Sequence, residues 1–397
     1  MTTQTRNGIP TYRSDIYSTA AIIDPYPHYA RLRALGPVVR LTRHRAYAIP
    51  RYAECKSILR DDKTFISGHG VGLNPIPNTF STGTTLTSDG ATHDERRKLV
   101  AHRLLPRALR SMADDIERLA GDIIARAVAK GSVDAIEDIA SVLPLAIVPD
   151  LVGWPQDQRA DLMAWGGAAF DLLGPFNRRA ARAIPDSARM LRFARRVVKN
   201  RSVLGGSLGH DVLLAADNGE LTYADCASLM IDYIVPSLDT TISAIANAVH
   251  LLATHPEQFE LLKSEPKLLP NAVNEIIRYS SPLRAFTRKA RHDIEVGGAT
   301  VPGGARVLVI YASANRDELE WDDPDVFDIR NDAGRQLGFG NGAHACAGQG
   351  LARLETQAML RALVARVDRI ELTATPVWAL NNIIRRHESL PVKLTAA

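Results

Sequence analysis

Cysteine is scarce in this sequence: Cys55, Cys226 and Cys346 are the only three in 397 residues, and none forms a CxxC pair. That spacing offers neither a disulfide framework nor a zinc site. Long apolar runs are missing too, none approaching the ~18 residues of a spanning helix. The amino terminus, MTTQTRNGIPTYRSD, has no apolar signal-peptide core. These absences predict a cytoplasmic protein with no membrane partner. Charge of one sign is limited to a formal +4, too little to argue for nucleic acid without a recognition motif. Internal repeats, low-complexity tracts and long linkers are absent as well.

What remains is ordinary globular composition, 46% hydrophobic and 23% charged. The chain is long enough to bury a cofactor. Period-3.6 patterns predict helices over 27–35, 51–60, 93–112, 113–130, 157–173, 187–201, 222–254, 257–264 and 268–279. Strand patterns are confined to a hairpin at 38–50, the stretches 294–296, 299–301 and 306–311, and a last pair near 382–394. The expected fold is mainly α with a small β-rich region, one large domain over 1–397.

The most informative stretch is Gly338–Gly350, GFGNGAHACAGQG, followed by an amphipathic helical pattern. A lone thiol just before a helix N-terminus meets free amide donors and positive potential, which favour thiolate. Glycines around it let the backbone approach a flat object closely. A thiolate on such a loop is how sulfur holds haem iron. A buried structural cysteine is the bland alternative, but Phe339, Gly340, Gly342, His344, Cys346 and Gly348 complete the pattern F-G-x-G-x-H-x-C-x-G.

On these residues the chain resembles the bacterial cytochromes P450, haem-thiolate monooxygenases, along essentially its full length. Other family motifs follow in order. Glu275-x-x-Arg278 resembles the E-x-x-R brace of the haem-binding loop. His93 and Arg97 share a helix face and resemble the H-x-x-x-R that reaches the haem propionates. Arg288 and His344 match two further propionate partners. One departure stands out: the family's F-D-x-x-R reads Phe327-Asp328-Ile329-Arg330-Asn331 here, with the arginine one place early.

The resemblance implies haem b with Cys346 as axial ligand, and Asp239 and Thr240 as proton relay to bound dioxygen. An acid and an alcohol in the largely apolar run IVPSLDTTISAIANAV call for a reason. Where the family has a small residue and glycine, this chain has Pro236-Ser237, so a proline kink is expected to make the room for oxygen. No reductase domain fits in the chain, so electrons from NAD(P)H are expected through a ferredoxin and its reductase. Arg96, Arg97, Lys98, His102, Arg103, Arg107 and Arg110 form a basic stretch, a docking patch or simply a solvated face. A monomer is expected.

Scattered blocks resemble the P450s that O-demethylate para-methoxybenzoates: Gly70-Val71-Gly72-Leu73, Gly174-Pro175, Ser313-Ala314-Asn315-Arg316-Asp317 and Glu388-Ser389-Leu390-Pro391. That subgroup anchors a carboxylate with an arginine before G-V-G-L and an Arg-Ser pair. This chain has His69, Ile231 and Asp232 at those places. Two anchors stay open: Arg284 or His69 for a benzoate, or Asp232 for a phenol. Val71, Phe170, Leu173, Val235, Pro236 and Phe286 complete the expected substrate contacts, the two phenylalanines clamping a planar ring. The rival substrates are a terpenoid, steroid or polyketide. The rival class is an inert recruitment domain of the same fold.

Overall fold

The computed structural model describes residues 8–80 and 83–397. At its centre runs the helix Tyr223–Thr254, opened by Thr222, whose hydroxyl and Asp225 form a capping box. Its residues from Leu238 to Ala248 are buried almost without a break, and helices pack around it on every side. It is long and apolar enough by composition to cross a membrane. Its burial inside the fold accounts for that apolarity. A mixed six-stranded sheet lies to one side, containing the expected hairpin Val39–Leu41 and Ala46–Ile49.

Most helices form where the periodicity places them, and the exceptions have local causes. The pattern over 93–112 splits into Gly90–Ala101, a 3-10 turn at His102–Leu104, and Pro106–Arg110. Pro106 pushes Leu105 into extended backbone, which ends the helical path. The pattern over 157–173 becomes α-helical only from Leu162, after a 3-10 turn at Arg159–Asp161. The one over 187–201 begins earlier, at Arg178, because the Asn177 side chain accepts from the Arg179 and Ala180 amides and caps it. Pro185 is tolerated inside that helix. Val142–Val152 is nearly all apolar and shows no polar face to betray its period.

The final strands do form, though not as a pair. His387–Ser389 joins Val377–Trp378, while Pro391–Ala396 lies between Val367–Leu372 and Ser132–Asp134. Each finds its partner elsewhere in the chain, which local alternation cannot encode.

Candidate functional site

Between the central helix and the loop 338–348 lies a cavity of about 640 Å³. Cys346 opens its thiol onto this space while protein encloses it on the other sides. The loop is held by the Cys346 amide donating to the Phe339 carbonyl at 2.8 Å. Gly340 and Gly342 take φ of +70° and +74°, and a Cβ on Gly342 would meet the Leu59 carbonyl at 2.2 Å. The Arg353 guanidinium covers the Phe339 ring at 4.5 Å. Burial raises the thiol pKa, opposed by the Gly348 and Gln349 amides and by Arg97 and Arg353. The expected thiolate preference is therefore not met by the helix start alone, because desolvation outweighs the amides until a cation binds sulfur.

Beside the thiol gather the four expected donors. His93, Arg97, Arg288 and His344 all line the cavity. The His93 and His344 rings lie 4.3 Å apart, and each has a buried Nε2 with no hydrogen-bond partner. Arg97 donates to the Ala345 carbonyl at 2.8 Å. Burial, then Arg288, His93 and Arg97, push His344 down to about 3. Asp94 meets His93 Nδ1 at 3.2 Å and Asp89 stands 3.9 Å from His344 Nε2, but no acid among the described residues pairs with Arg97 or Arg288. A flat group bearing carboxylates fits the cluster, with Cys346 placed to face its metal.

The loop is braced from behind. Glu275 and Arg278, both fully buried, pair bidentately at 2.6 and 2.8 Å. Arg278 also donates to the carbonyls of Asn315, Pro324 and Val326. The misplaced Arg330 pairs with Glu265 at the surface. Its role at the brace passes to Asn331, whose Nδ2 donates to Glu275 at 3.1 Å, with the Asp328 amide at 3.2 Å.

On the opposite wall, Thr240 lines the cavity and Asp239 does not. The Asp239 carboxylate is 1% exposed and faces Gly166, Gly167 and Arg386, whose Nε stands 3.4 Å away. Burial raises its pKa to about 6 although Arg386 opposes the shift. Arg386, which continues to Glu388 at 3.6 Å, carried no sequence signal. The helix passes through Pro236 as an unbroken α-helix, so no proline-made bulge is present. The Ser237 and Thr240 hydroxyls instead bond back to the carbonyls of Tyr233 and Pro236, each at 2.6 Å.

Of the expected substrate contacts, Val71, Phe170, Leu173, Asp232, Val235, Pro236 and Phe286 line the cavity. Arg284 does not: it turns away and donates to the Asn381 and Asn382 carbonyls at 2.7 and 2.6 Å. Neither does His69, which is exposed and whose carbonyl accepts from Arg306. Asp232 uses Oδ2 to accept from the Thr85 and Leu86 amides at 2.8 and 3.2 Å, fastening the loop before His93 to the central helix.

The sequence profile of cytochrome P450 matches residues 129–371. Cytochrome P450 CYP199A2 of Rhodopseudomonas palustris is 35% identical over 394 residues, covering 98% of this chain and 96% of that protein. The chain belongs to the cytochrome P450 family.

This P450 is also similar to 6-deoxyerythronolide B hydroxylase of Saccharopolyspora erythraea, 31% identical over 96% of this chain and 98% of that one. Cytochrome P450 CYP109Q5 from Chondromyces apiculatus superposes with a TM-score of 0.81 at 28% identity, covering 97% and 99%. Epothilone D-bound cytochrome P450epoK does so at 0.86 and 27%, covering 97% and 100%. The P450 is thus a haem-thiolate monooxygenase that takes electrons from redox partners. Of the basic stretch, Arg96 pairs with Asp225 and Arg103 with Asp211, while Arg97 serves the cavity. Lys98, Arg107 and Arg110 are left exposed.

Proposed function

We propose that this P450 O-demethylates an uncharged methoxy-substituted aromatic, of the methoxyphenol rather than the methoxybenzoate type. One observation carries the reading. Away from the His93–Arg97–Arg288–His344 cluster, Asp232 is the only charged group among the described lining residues. Burial raises it to about 6, so it remains mostly ionised near neutral pH. A benzoate would meet a carboxylate with no facing cation, whereas a phenol can donate to it. Phe170 and Phe286 supply apolar surface for the ring.

Cys346 would hold the haem, which would supply activation of O2: with two electrons and two protons, one oxygen atom would enter a methyl C–H bond and the other leave as water. The hemiacetal so formed breaks its methyl C–O bond to give the phenol and formaldehyde. His93, Arg97, Arg288 and His344 would hold its propionates, and Phe339, Gly340 and Gly348, which line the same cavity, would border it. To pass a proton into the cavity the Thr240 hydroxyl must release the Pro236 carbonyl, and Asp239, raised to about 6, is the group that resupplies it. For that it must leave Arg386. The two protons end in the water released. Lys98, Arg107 and Arg110 suit an acidic ferredoxin, because the 106–110 helix packs on the helix following Cys346.

The test is a titration of the ferric protein followed by the Soret band. Methoxyphenols are expected to give a strong low-to-high-spin shift and methoxybenzoates a weak one. Asp232→Asn is expected to narrow that difference. Silence from every aromatic, with a response to bulky terpenoids or macrolides, would overturn the reading in favour of a natural-product hydroxylase.

A further inference from the structure

The Arg178–Asn200 helix carries seven arginines and Lys199 against one acid, Asp186. That is a formal +7 in 23 residues of a chain whose total is +4, so the remainder of the chain carries −3. The charge is laid along one face. Ala183, Met190, Phe193 and Val197 turn inward, while Arg182, Arg189, Arg192, Arg195 and Lys199 are exposed. Acids answer few of these cations: Asp186 pairs with Arg189 at 3.0 Å, and Asp157 with Arg196 at 3.6 Å. At ~1.5 Å per residue the row from Arg182 to Lys199 runs about 26 Å.

The same helix forms one lip of the cavity. Ile184 lines it, together with Phe176 just before the helix and Ile76 on the facing segment. These three side chains are nevertheless 50%, 64% and 56% exposed. Large apolar groups gathered at a solvent-facing rim, beside a stripe of one charge, mark a surface that something covers.

We infer that this face rests on an anionic lipid surface, with the cavity mouth turned toward the bilayer. The cations meet the headgroups, and Phe176, Ile184 and Ile76 reach the boundary with the acyl chains. An acidic protein would also be drawn by the charge. The rim decides between them: a protein seated there closes the mouth that substrate must use, whereas a bilayer is itself a reservoir of apolar substrate. Contact of this kind is peripheral and reversible.

The experiment is co-sedimentation of the haem-loaded full chain with vesicles of phosphatidylcholine, alone or mixed with phosphatidylglycerol. Binding to the mixed vesicles is expected to exceed binding to the neutral ones at least tenfold, and to be lost in high salt. The triple variant Arg182→Glu, Arg192→Glu, Lys199→Glu is expected to bind about a hundredfold more weakly, with Soret spectrum and melting temperature unchanged. Phe176→Ser is expected to weaken vesicle binding without affecting retention on immobilised polyglutamate. Equal binding to both vesicle types, or a triple variant that binds like the parent, overturns the inference. Retention on polyglutamate with no vesicle binding overturns it in favour of an acidic protein partner.

Discussion

Replacing Asp239 by asparagine should make the protein more stable and less active at once. Its carboxylate is buried, accepts no hydrogen bond, and is shifted from 3.8 to about 6 mainly by desolvation. Each pKa unit is worth about 1.4 kcal/mol, so holding the ionised group in the folded state costs about 3 kcal/mol. The sign follows from proton uptake. Between pH ~4 and ~6 the unfolded chain has released this proton and the folded one still holds it, so wild-type stability falls as pH rises. Below ~4 both states are protonated and the effect is absent. An asparagine side chain has no proton to release, so the stability gain of Asp239→Asn should be about 1.5 kcal/mol at pH 5 and about 3 kcal/mol at pH 7.5. Urea unfolding of the haem-loaded proteins at the two pH values measures it. In steady-state turnover the same variant should lose about a hundredfold in product formation. A gain that does not change with pH, or a variant less stable than wild type at pH 7.5, refutes the account of Asp239 as a desolvated acid.

Two further substitutions address the haem-binding loop. Glu275→Ala leaves the Arg278 guanidinium, 1% exposed, without its carboxylate and should cost about 3–5 kcal/mol in urea unfolding; a loss below ~1 kcal/mol contradicts the brace. Gly342→Ala forces a Cβ against the Leu59 carbonyl at a φ of +74° and should cost about 3 kcal/mol with reduced haem loading. Equal haem content and melting temperature would show that the backbone yields there freely.

Read alone, the sequence determined the helical architecture, the loop that carries Cys346 and the cluster of donors beside it. Those signals are short in range: helical period comes from neighbours three and four apart, His93 and Arg97 sit one turn apart on one helix, and the Cys346 loop is continuous. The central helix appeared with nearly the expected bounds because its capping box and apolar run are local too. What only the tertiary structure decided is how side chains far apart in sequence meet. Arg284 and His69 look like substrate anchors until packing turns the first onto the Asn381 and Asn382 carbonyls and leaves the second outside. Asn331 takes the place that Arg330 leaves because the backbone, not residue type, puts its amide on Glu275. Arg386 reaches Asp239 from 147 positions along the chain, and no local pattern can announce such a pair. Local periodicity fixes which face a residue occupies on its own element; whether that face meets the cavity, the core or solvent depends on how the elements pack.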